Sequence, residues 1–363
     1  MVYDVIIIGA GIAGSSSAYF LNKAGLKVLV LEKNKICSGG SNSAGAFISP
    51  KISKPSLYKD YLNHAFLFST NFYKENFPKI FHQCGLIKIP LDKEDMKKCK
   101  TYESSMQIEW KYDQQEKHYY FPQAGFIPPK EICHALLKDI EVKENYKVKS
   151  ITRKTNWIVD NFKSKNIILA TGSDPSLLNL PYIKTKNIAG YRYDTKFEDM
   201  QKLKSNQHKN LSISACHNDK VMIGATHILK TSSIEEEAIK DSQKLLEKAN
   251  KMIPLKSLEI LATYSGYRNV TFDYFPIVGE IIDHETTLIK YPYIQKGSKV
   301  PTKNFITYPN LYIHSALGSR GFVFAPYNAK LLTDLIINQK QINNKLSTTR
   351  LFIKWARKRL NKE

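Results

Sequence analysis

Two periodicities of apolar residues alternate at the start of the chain. Residues 2–8 form a mainly apolar run of strand length, residues 15–23 have helical character, and residues 27–31 have the pattern of a second strand. An apolar run of this length that ends in glycines is typical of the first strand of a dinucleotide-binding unit. The pattern predicts a β-α-β unit whose first turn contains Gly9, Gly11 and Gly14.

Further along the chain, strands and helices are predicted in mixed order. A stripe of apolar residues at helical spacing covers 56–77, and a Ser233–Glu236 capping box precedes a second stripe. Strands are predicted at 86–89, within 108–120, and at 141–151, 157–159, 166–170, 212–216, 221–225 and 311–315. Helices are predicted at 128–137, 325–337 and 350–362.

The glycine spacing adds chemistry to the first unit. Gly9 allows a tight turn, Gly11 lets the backbone approach a pyrophosphate, and Gly14 lets helix and strand pack closely. The helix N-terminus offers N–H groups and a positive dipole end to phosphates. Glu32, after the second strand, stands where a carboxylate holds ribose hydroxyls. A glycine turn without a nucleotide is the alternative, but the complete unit favours a dinucleotide site.

Three other segments of small residues favour an extended cofactor. Loop 36–50 contains Ser41–Gly45, the strand at 166–170 leads into Ala170–Gly172, and Gly318–Gly321 precedes a helix. Small residues allow the backbone to approach a ligand closely. An ordinary surface loop is the alternative for 36–50.

Charge and cysteine usage limit the function classes. The formal net charge is +21 over 363 residues, which favours a polyanionic partner, either nucleic acid or anionic membrane. Solvated lysines without such a partner are the alternative. Five scattered cysteines fit a reducing cytoplasm and give no disulfide or metal framework. We expect no membrane span and no signal peptide, because the apolar runs are too short and no basic region precedes the first one.

Together, these motifs resemble those of the D-amino-acid-oxidase-type FAD oxidoreductase family. The resemblance covers essentially the whole chain and rests on Gly9–Gly14 with Glu32, Ser41–Gly45, Ala170–Gly172, Arg268 with Asp273–Gly279, and Gly318–Gly321 with Ala325–Pro326. It implies an α/β fold, with a Rossmann-type FAD-binding domain that is discontinuous in sequence and an antiparallel-sheet substrate domain. The implied ranges are 1–80, 126–185 and 308–345 for the FAD-binding domain, 81–125 and 186–307 for the substrate domain, and 346–363 for a basic C-terminal helix.

The resemblance also implies which residues hold FAD. They are Gly9, Ala10, Gly11, Ile12, Ala13, Gly14, Glu32, Lys33, Ser41, Asn42, Gly45, Ala46, Val148, Ala170, Thr171, Gly172, Gly318, Ser319, Arg320, Gly321 and Phe322.

One branch of the family matches further residues. Residues 45–54, 120–126, 267–279, 316–322 and 350–358 resemble the FAD-dependent C-terminal half of the bacterial bifunctional tRNA 5-methylaminomethyl-2-thiouridine biosynthesis protein. That half removes the carboxymethyl group from 5-carboxymethylaminomethyl-2-thiouridine at the tRNA wobble position, which implies an aminomethyl product and glyoxylate. It normally follows an S-adenosylmethionine-dependent methyltransferase half, whereas here the glycine motif begins within ten residues of Met1. We therefore expect either a free-standing oxidoreductase or one half of a longer protein, with tRNA and a separate or fused methyltransferase as partners.

Two arginines are candidates for binding the carboxylate of the substrate. Arg268 and Arg320 qualify because a guanidinium binds a carboxylate bidentately. For Arg268, the alternative is a structural ion pair with Asp273. His227 is a weaker candidate for a substrate contact. The Gly318–Gly321 turn is expected to direct N–H groups toward the flavin, where negative charge gathers on reduction.

Two other functions compete with tRNA modification. One is an oxidase of a small N-substituted glycine or D-amino acid, and the other is a non-catalytic tRNA-binding flavoprotein, which the complete set of flavin motifs disfavours. The terminal helix is predicted to present Arg350, Lys354, Arg357 and Lys358 as a basic ridge to phosphates. A solubilising helix that never meets RNA is the alternative.

Overall fold

The structure is a computed structural model that describes residues 1–174, 176–226 and 243–357. Its α-helices are α1 (Ile12–Lys23), α2 (Leu57–Asn76), α3 (Lys93–Thr101), α4 (Pro129–Leu136), α5 (His284–Lys290), α6 (Gly321–Asn338) and α7 (Thr349–Ala356), and residues 243–250 are also helical. The strands are β1 (Val2–Ile8), β2 (Val28–Leu31), β3 (Phe47–Ile48), β4 (Leu86–Lys88), β5 (Lys111–Asp113), β6 (His118–Phe121), β7 (Gly125–Phe126), β8 (Glu141–Lys143), β9 (Ile151–Arg153), β10 (Trp157–Val159), β11 (Phe162–Leu169), β12 (Lys186–Lys196), β13 (Asn206–His208), β14 (Ser212–Ile213), β15 (Val221–Gly224), β16 (Glu259–Val270), β17 (Ile277–Ile282) and β18 (Thr307–Ser315). Within these ranges, no helix combines the length and apolar character needed to cross a membrane.

The first sheet has the strand order β17-β18-β11-β1-β2-β8, and β9 and β10 extend it from β11. Strand β1 runs parallel to β2 and β11, and β11 runs parallel to β18. Ile6 and Ile7 of β1 are both fully buried, because α1 and α6 cover one face of the sheet and α7 packs against the other. Burial on both faces explains the continuous apolar run of this strand.

The second sheet has the strand order β16-β12-β15-β14-β13-β4-β6-β5. All its pairs are antiparallel except that of β13 with β4. One face packs on the helical residues 243–250 through Leu245 and Ala249, together with Ile213 and Ile223 of the sheet. The first sheet, with a parallel centre and helices on both faces, and this largely antiparallel second sheet confirm the predicted α/β class.

One predicted assignment differs in the structure. Residues 277–282, assigned to the substrate domain within 186–307, form β17 and pair with β18 in the first sheet. Their apolar run fits a buried strand of either sheet, so the sequence does not show which sheet it joins. The structure describes helix α7 over Thr349–Ala356, and the predicted continuation through 358–362 lies outside the described residues. The other domain boundaries stay predictions.

Some predictions fall outside the described residues. They are those on His227, on the capping box Ser233–Glu236 and on Lys358.

Candidate active site

The glycine motif brings β1, α1 and β11 into close contact. Gly9 has φ 110°, a conformation that other residues rarely adopt. A Cβ atom on Gly9 would overlap the carbonyl group of Ala170, and one on Gly14 would overlap the carbonyl group of Gly9. The first turn of α1 therefore lies at the carboxyl ends of β1 and β11, where dinucleotides bind in sheets of this kind.

Backbone N–H groups fix the carboxylate of Glu32 at the end of β2. Its Oε2 accepts a hydrogen bond from Ala10 N at 2.7 Å, and its Oε1 accepts one from Asn34 N at 2.9 Å. Each carboxylate oxygen keeps a further lone pair, so the acid can still accept a bond from a ribose hydroxyl. The neighbouring Lys33 forms an ion pair with Asp174 at 3.0 Å.

Loop 36–50 connects the nucleotide end of the first sheet to the second sheet. Ser41 Oγ accepts a hydrogen bond from Ile12 N, in the first turn of α1, at 3.0 Å. A Cβ atom on Gly40 would overlap the carbonyl group of Tyr267 in β16. The loop therefore makes the close backbone approaches that its small residues predict.

A cavity of about 550 Å³ lies between the two sheets, within the size range of cofactor and substrate sites. The predicted cofactor residues that line it are Gly11, Ile12, Ala13, Ser41, Gly45, Ala46, Ala170, Gly172, Gly318, Ser319, Arg320, Gly321 and Phe322. The other predicted cofactor residues lie outside that lining: Gly9, Ala10, Gly14, Glu32, Lys33, Asn42, Val148 and Thr171. Val148 is buried in the core on the α7 side of the first sheet.

Arg268 enters the cavity from β16 and folds over Gly190 of β12. A Cβ atom on Gly190 would overlap the guanidinium. Arg268 Nη1 donates a hydrogen bond to Thr226 O at 2.9 Å, and burial lowers the pKa of Arg268. The suggested ion pair with Asp273 is wrong, because Asp273 binds Arg350 at 2.9 Å instead. Among the residues that the structure describes, no carboxylate forms an ion pair with Arg268.

Arg350 anchors α7 to the body of the protein. Its guanidinium donates two hydrogen bonds to Asp273, and its side chain is only 10% exposed. Lys354 Nζ lies 3.0 Å from the ring centroid of Phe272. The prediction that Arg350 belongs to an exposed basic ridge is therefore wrong. The sequence does not show this ion pair, because Asp273 and Arg350 are far apart in the chain.

Arg320 lies in the turn between β18 and α6. Its Nη1 donates a hydrogen bond to Ser49 O at 2.7 Å, which fixes the chain that follows β3. Burial lowers the pKa of Arg320, and nearby Tyr58 partly offsets this effect. Gly318, two residues earlier, has φ 60° and packs on Val270. The contact of Arg320 with a substrate stays a prediction.

Sequence reasoning missed three more side chains of the same cavity. Lys88 extends from β4, His208 from β13 and Lys51 from the segment after β3. The position of Lys88 between two isoleucines of a predicted strand was a signal, since a charge in such a run needs a polar environment. Lys51 and His208 carried no such signal, because only the pairing of distant strands brings them together.

His314 of β18 lies fully buried at the wall of the cavity. Its Nδ1 is 2.9 Å from Ser17 Oγ, while its Nε2 is buried without a hydrogen-bond partner among the described groups. Burial lowers the pKa of His314 to about 3, so the ring is neutral at physiological pH. Buried polar atoms are rarely left unpaired in folded proteins, so this nitrogen fits a ligand that supplies the missing partner.

The family model described as FAD dependent oxidoreductase matches residues 4–335. The chain is 25% identical over 97% of its length to the tRNA 5-methylaminomethyl-2-thiouridine biosynthesis bifunctional protein MnmC of Campylobacter fetus subsp. fetus. It is 27% identical over 91% of its length to the protein of that name from Legionella pneumophila subsp. pneumophila. The match covers 60% and 54% of those two proteins, so the chain spans little more than half their length.

Solved structures share the fold at low sequence identity. Glycine oxidase from Geobacillus kaustophilus superposes with a TM-score of 0.76 and 19% identity, covering 96% of this chain and 98% of that one. L-proline dehydrogenase from P. horikoshii gives 0.72 and 18%, covering 100% and 99%. These structures confirm the predicted fold, and the family match confirms the predicted cofactor, FAD.

The residues of the cavity and Glu32 at the end of β2 fit this cofactor. A Cβ atom on Gly11 would lie 3.1 Å from Ser41 Oγ, so the glycine keeps the approach to the α1 N-terminus open. Glu32 supplies an acid at the ribose position, and His314 Nε2 supplies an unpaired polar atom at the wall. A helix N-terminus, an acid and a neutral polar wall match the pyrophosphate, ribose and uncharged parts of FAD.

Proposed function

Since the chain belongs to the FAD dependent oxidoreductase family, we propose that it removes the carboxymethyl group from 5-carboxymethylaminomethyl-(2-thio)uridine at the tRNA wobble position. The products are the 5-aminomethyl nucleoside and glyoxylate. The observation that carries the proposal is that Arg268 lines the cavity and has no ion-pair partner among the described residues.

The first step is binding of the substrate carboxylate. The Arg268 guanidinium has one Nη1 bond to Thr226 O and further N–H donors, enough for a bidentate contact. Gly190 beneath it leaves the guanidinium flat against the strand. Arg268 thereby orients the carboxymethyl carbon within the cavity.

The second requirement is a neutral amine, because an ammonium nitrogen has no lone pair to assist loss of hydride. Arg268 and Arg320 both line the cavity, and their positive charges disfavour a further cation inside it. When bound, FAD supplies the oxidant that accepts the hydride. The bond between the amine nitrogen and the carboxymethyl carbon becomes an imine. Water then hydrolyses this imine to the aminomethyl nucleoside and glyoxylate.

Charge and similarity support tRNA as the partner. The net charge of +21 suits a polyanion, and the relatives reported above are named for tRNA thiouridine biosynthesis. Those relatives are also named bifunctional, so a separate or fused methyltransferase is part of the proposal. So is a cytoplasmic location, because all five cysteines are free thiols, as a reducing compartment favours.

A second candidate is oxidation of a small N-substituted glycine or D-amino acid. Arg268 favours it as much as the first, since any such substrate offers one carboxylate. The two differ in whether the cavity also recognises a nucleotide.

Incubation with undermodified tRNA, followed by nucleoside mass spectrometry, tests the proposal. The FAD-loaded protein should convert the carboxymethylaminomethyl nucleoside into the aminomethyl form and release glyoxylate. An unchanged nucleoside, with flavin reduction by free N-substituted glycines, would instead establish the second candidate.

A further inference from the structure

A row of residues crosses the floor of the cavity on the second sheet. Gly224 of β15 pairs with Ser212 of β14, Ser212 pairs with His208 of β13, and His208 pairs with Lys88 of β4. All four line the cavity, as does Gly190 of β12, over which the Arg268 guanidinium lies. These residues lie between Arg268 on one side of the cavity and Lys88 on the other.

The end of the cavity around Lys88 is cationic. Lys51, Lys88, Lys209 and Arg320 line it, and Asp95 is the one carboxylate among the described lining residues. Lys88 Nζ donates a hydrogen bond to Ile89 O at 3.1 Å and lies 3.7 Å from Asp95 Oδ2. That same Oδ2 accepts a hydrogen bond from Leu91 N at 2.9 Å, so its charge is shared. The cations outnumber their internal counter-charge.

The positive charges at this end also affect the pKa values of His208 and Lys51. Burial, followed by the charges of Lys88 and Arg320, lowers the pKa of His208 to about 4. Loss of hydration, followed by the charge of Arg320, lowers the pKa of Lys51. Like charges held around one cavity repel each other, and a bound anion relieves that repulsion.

The two cationic ends suit two different anions. Four strand spacings separate Gly190 from Lys88, ~19 Å along the sheet, so a free amino acid cannot span them. A planar guanidinium matches a carboxylate, whereas ammonium groups act as point charges that suit phosphate oxygens. A nucleotide that carries a carboxymethylamino group has both anions on one molecule.

We propose that Lys51 and Lys88 form an anion subsite that binds a backbone phosphate next to the modified nucleotide, while Arg268 holds the carboxylate. The inference rests on the proposed function and deepens it, because it assigns the feature that separates a nucleic acid substrate from a free glycine. His208, neutral and hydrogen-bonded through Nδ1 to Ser212 Oγ at 2.9 Å, forms the wall between the two anions.

The test compares two substrates in three FAD-loaded proteins: wild type, the Lys51→Gln/Lys88→Gln double variant, and Lys97→Gln. Lys97 is an exposed lysine of α3 and serves as the matched charge control. Loss of charge-assisted phosphate contacts should lower kcat/KM for undermodified tRNA ten- to hundredfold more than kcat/KM for a free N-substituted glycine. The slope of log Kd for tRNA against log salt should also become shallower in the double variant, and Lys97→Gln should match wild type.

Binding of uridine monophosphate, followed through the flavin absorption spectrum, tests the subsite without turnover. We expect uridine monophosphate to change the flavin spectrum of the wild type and to bind the double variant at least tenfold more weakly. Lys51→Gln alone provides the same comparison if the double variant misfolds. Equal losses of kcat/KM for tRNA and for the free glycine would overturn the proposal and show that the lysines bind the substrate carboxylate. Loss of FAD would overturn it by showing that they bind the cofactor. If tRNA is not turned over but uridine monophosphate binds through the lysines, the subsite stands and the proposed reaction fails.

Discussion

Replacement of Arg268 by Gln isolates the contact on which the proposed reaction depends. In the protein itself, the change removes one hydrogen bond to Thr226 O, worth about 1 kcal/mol, and among the described residues it leaves no acid without its ion-pair partner. In the substrate complex, it removes a charge-assisted contact worth about 1.5–3 kcal/mol, which corresponds to roughly a ten- to hundredfold loss in kcat/KM. The structure therefore predicts a much larger effect on turnover than on folding.

The assay is anaerobic flavin reduction by undermodified tRNA, with FAD content and urea denaturation measured on the same protein. Arg153→Gln, a change of an exposed arginine on β9, serves as the control and should behave as wild type. The assignment of Arg268 to the substrate would be refuted if Arg268→Gln kept its kcat/KM per bound flavin and instead lost FAD or showed a large drop in unfolding free energy.

Other substitutions test separate parts of the account. Gly11→Asp should abolish FAD binding, visible as a colourless protein, because it places a carboxylate at the pyrophosphate position; a yellow variant would contradict that placement. Gly190→Ala should displace the Arg268 guanidinium and lower kcat/KM while FAD content is retained, whereas normal kinetics would show that the guanidinium tolerates a Cβ atom. Arg350→Ala should cost roughly 2–4 kcal/mol in urea unfolding, since it removes the ion-pair partner of Asp273, and a change in tRNA affinity without destabilisation would argue against an anchoring role. His314 has a pKa of about 3 in the fold, below its ordinary value, so between about pH 6.5 and 3 the unfolded chain binds more protons than the folded one. The free energy of unfolding should therefore fall as the pH drops through that range. His314→Gln should make this fall shallower, and an unchanged pH dependence would contradict the burial of a neutral His314.

The sequence predicted the nucleotide end of the site well because its determinants are local. Gly9, Gly11 and Gly14 act within one turn, and Glu32 ends the next strand, so spacing alone locates the contacts that the structure shows. The segment Ser41–Gly45 was predictable for the same reason, since close backbone approach requires small residues.

The substrate end was predicted less well because its contacts are distant in sequence. Lys88 and His208 meet only through the parallel pairing of β4 with β13, which no turn residue signals. Asp273 lies five residues from Arg268 in the chain, yet it pairs with Arg350, because α7 packs against the first sheet. An apolar strand such as β17 likewise fits either sheet, since burial on both faces removes the alternation that would identify its neighbours.

A single-turnover experiment without oxygen tests the central claim most directly. FAD-loaded protein is mixed with an excess of tRNA that carries 5-carboxymethylaminomethyl-2-thiouridine, and flavin reduction, glyoxylate and nucleosides are measured together. The account predicts one glyoxylate and one aminomethyl nucleoside for each flavin reduced. A flavin that stays oxidised with this tRNA but is reduced by a free N-substituted glycine would contradict it.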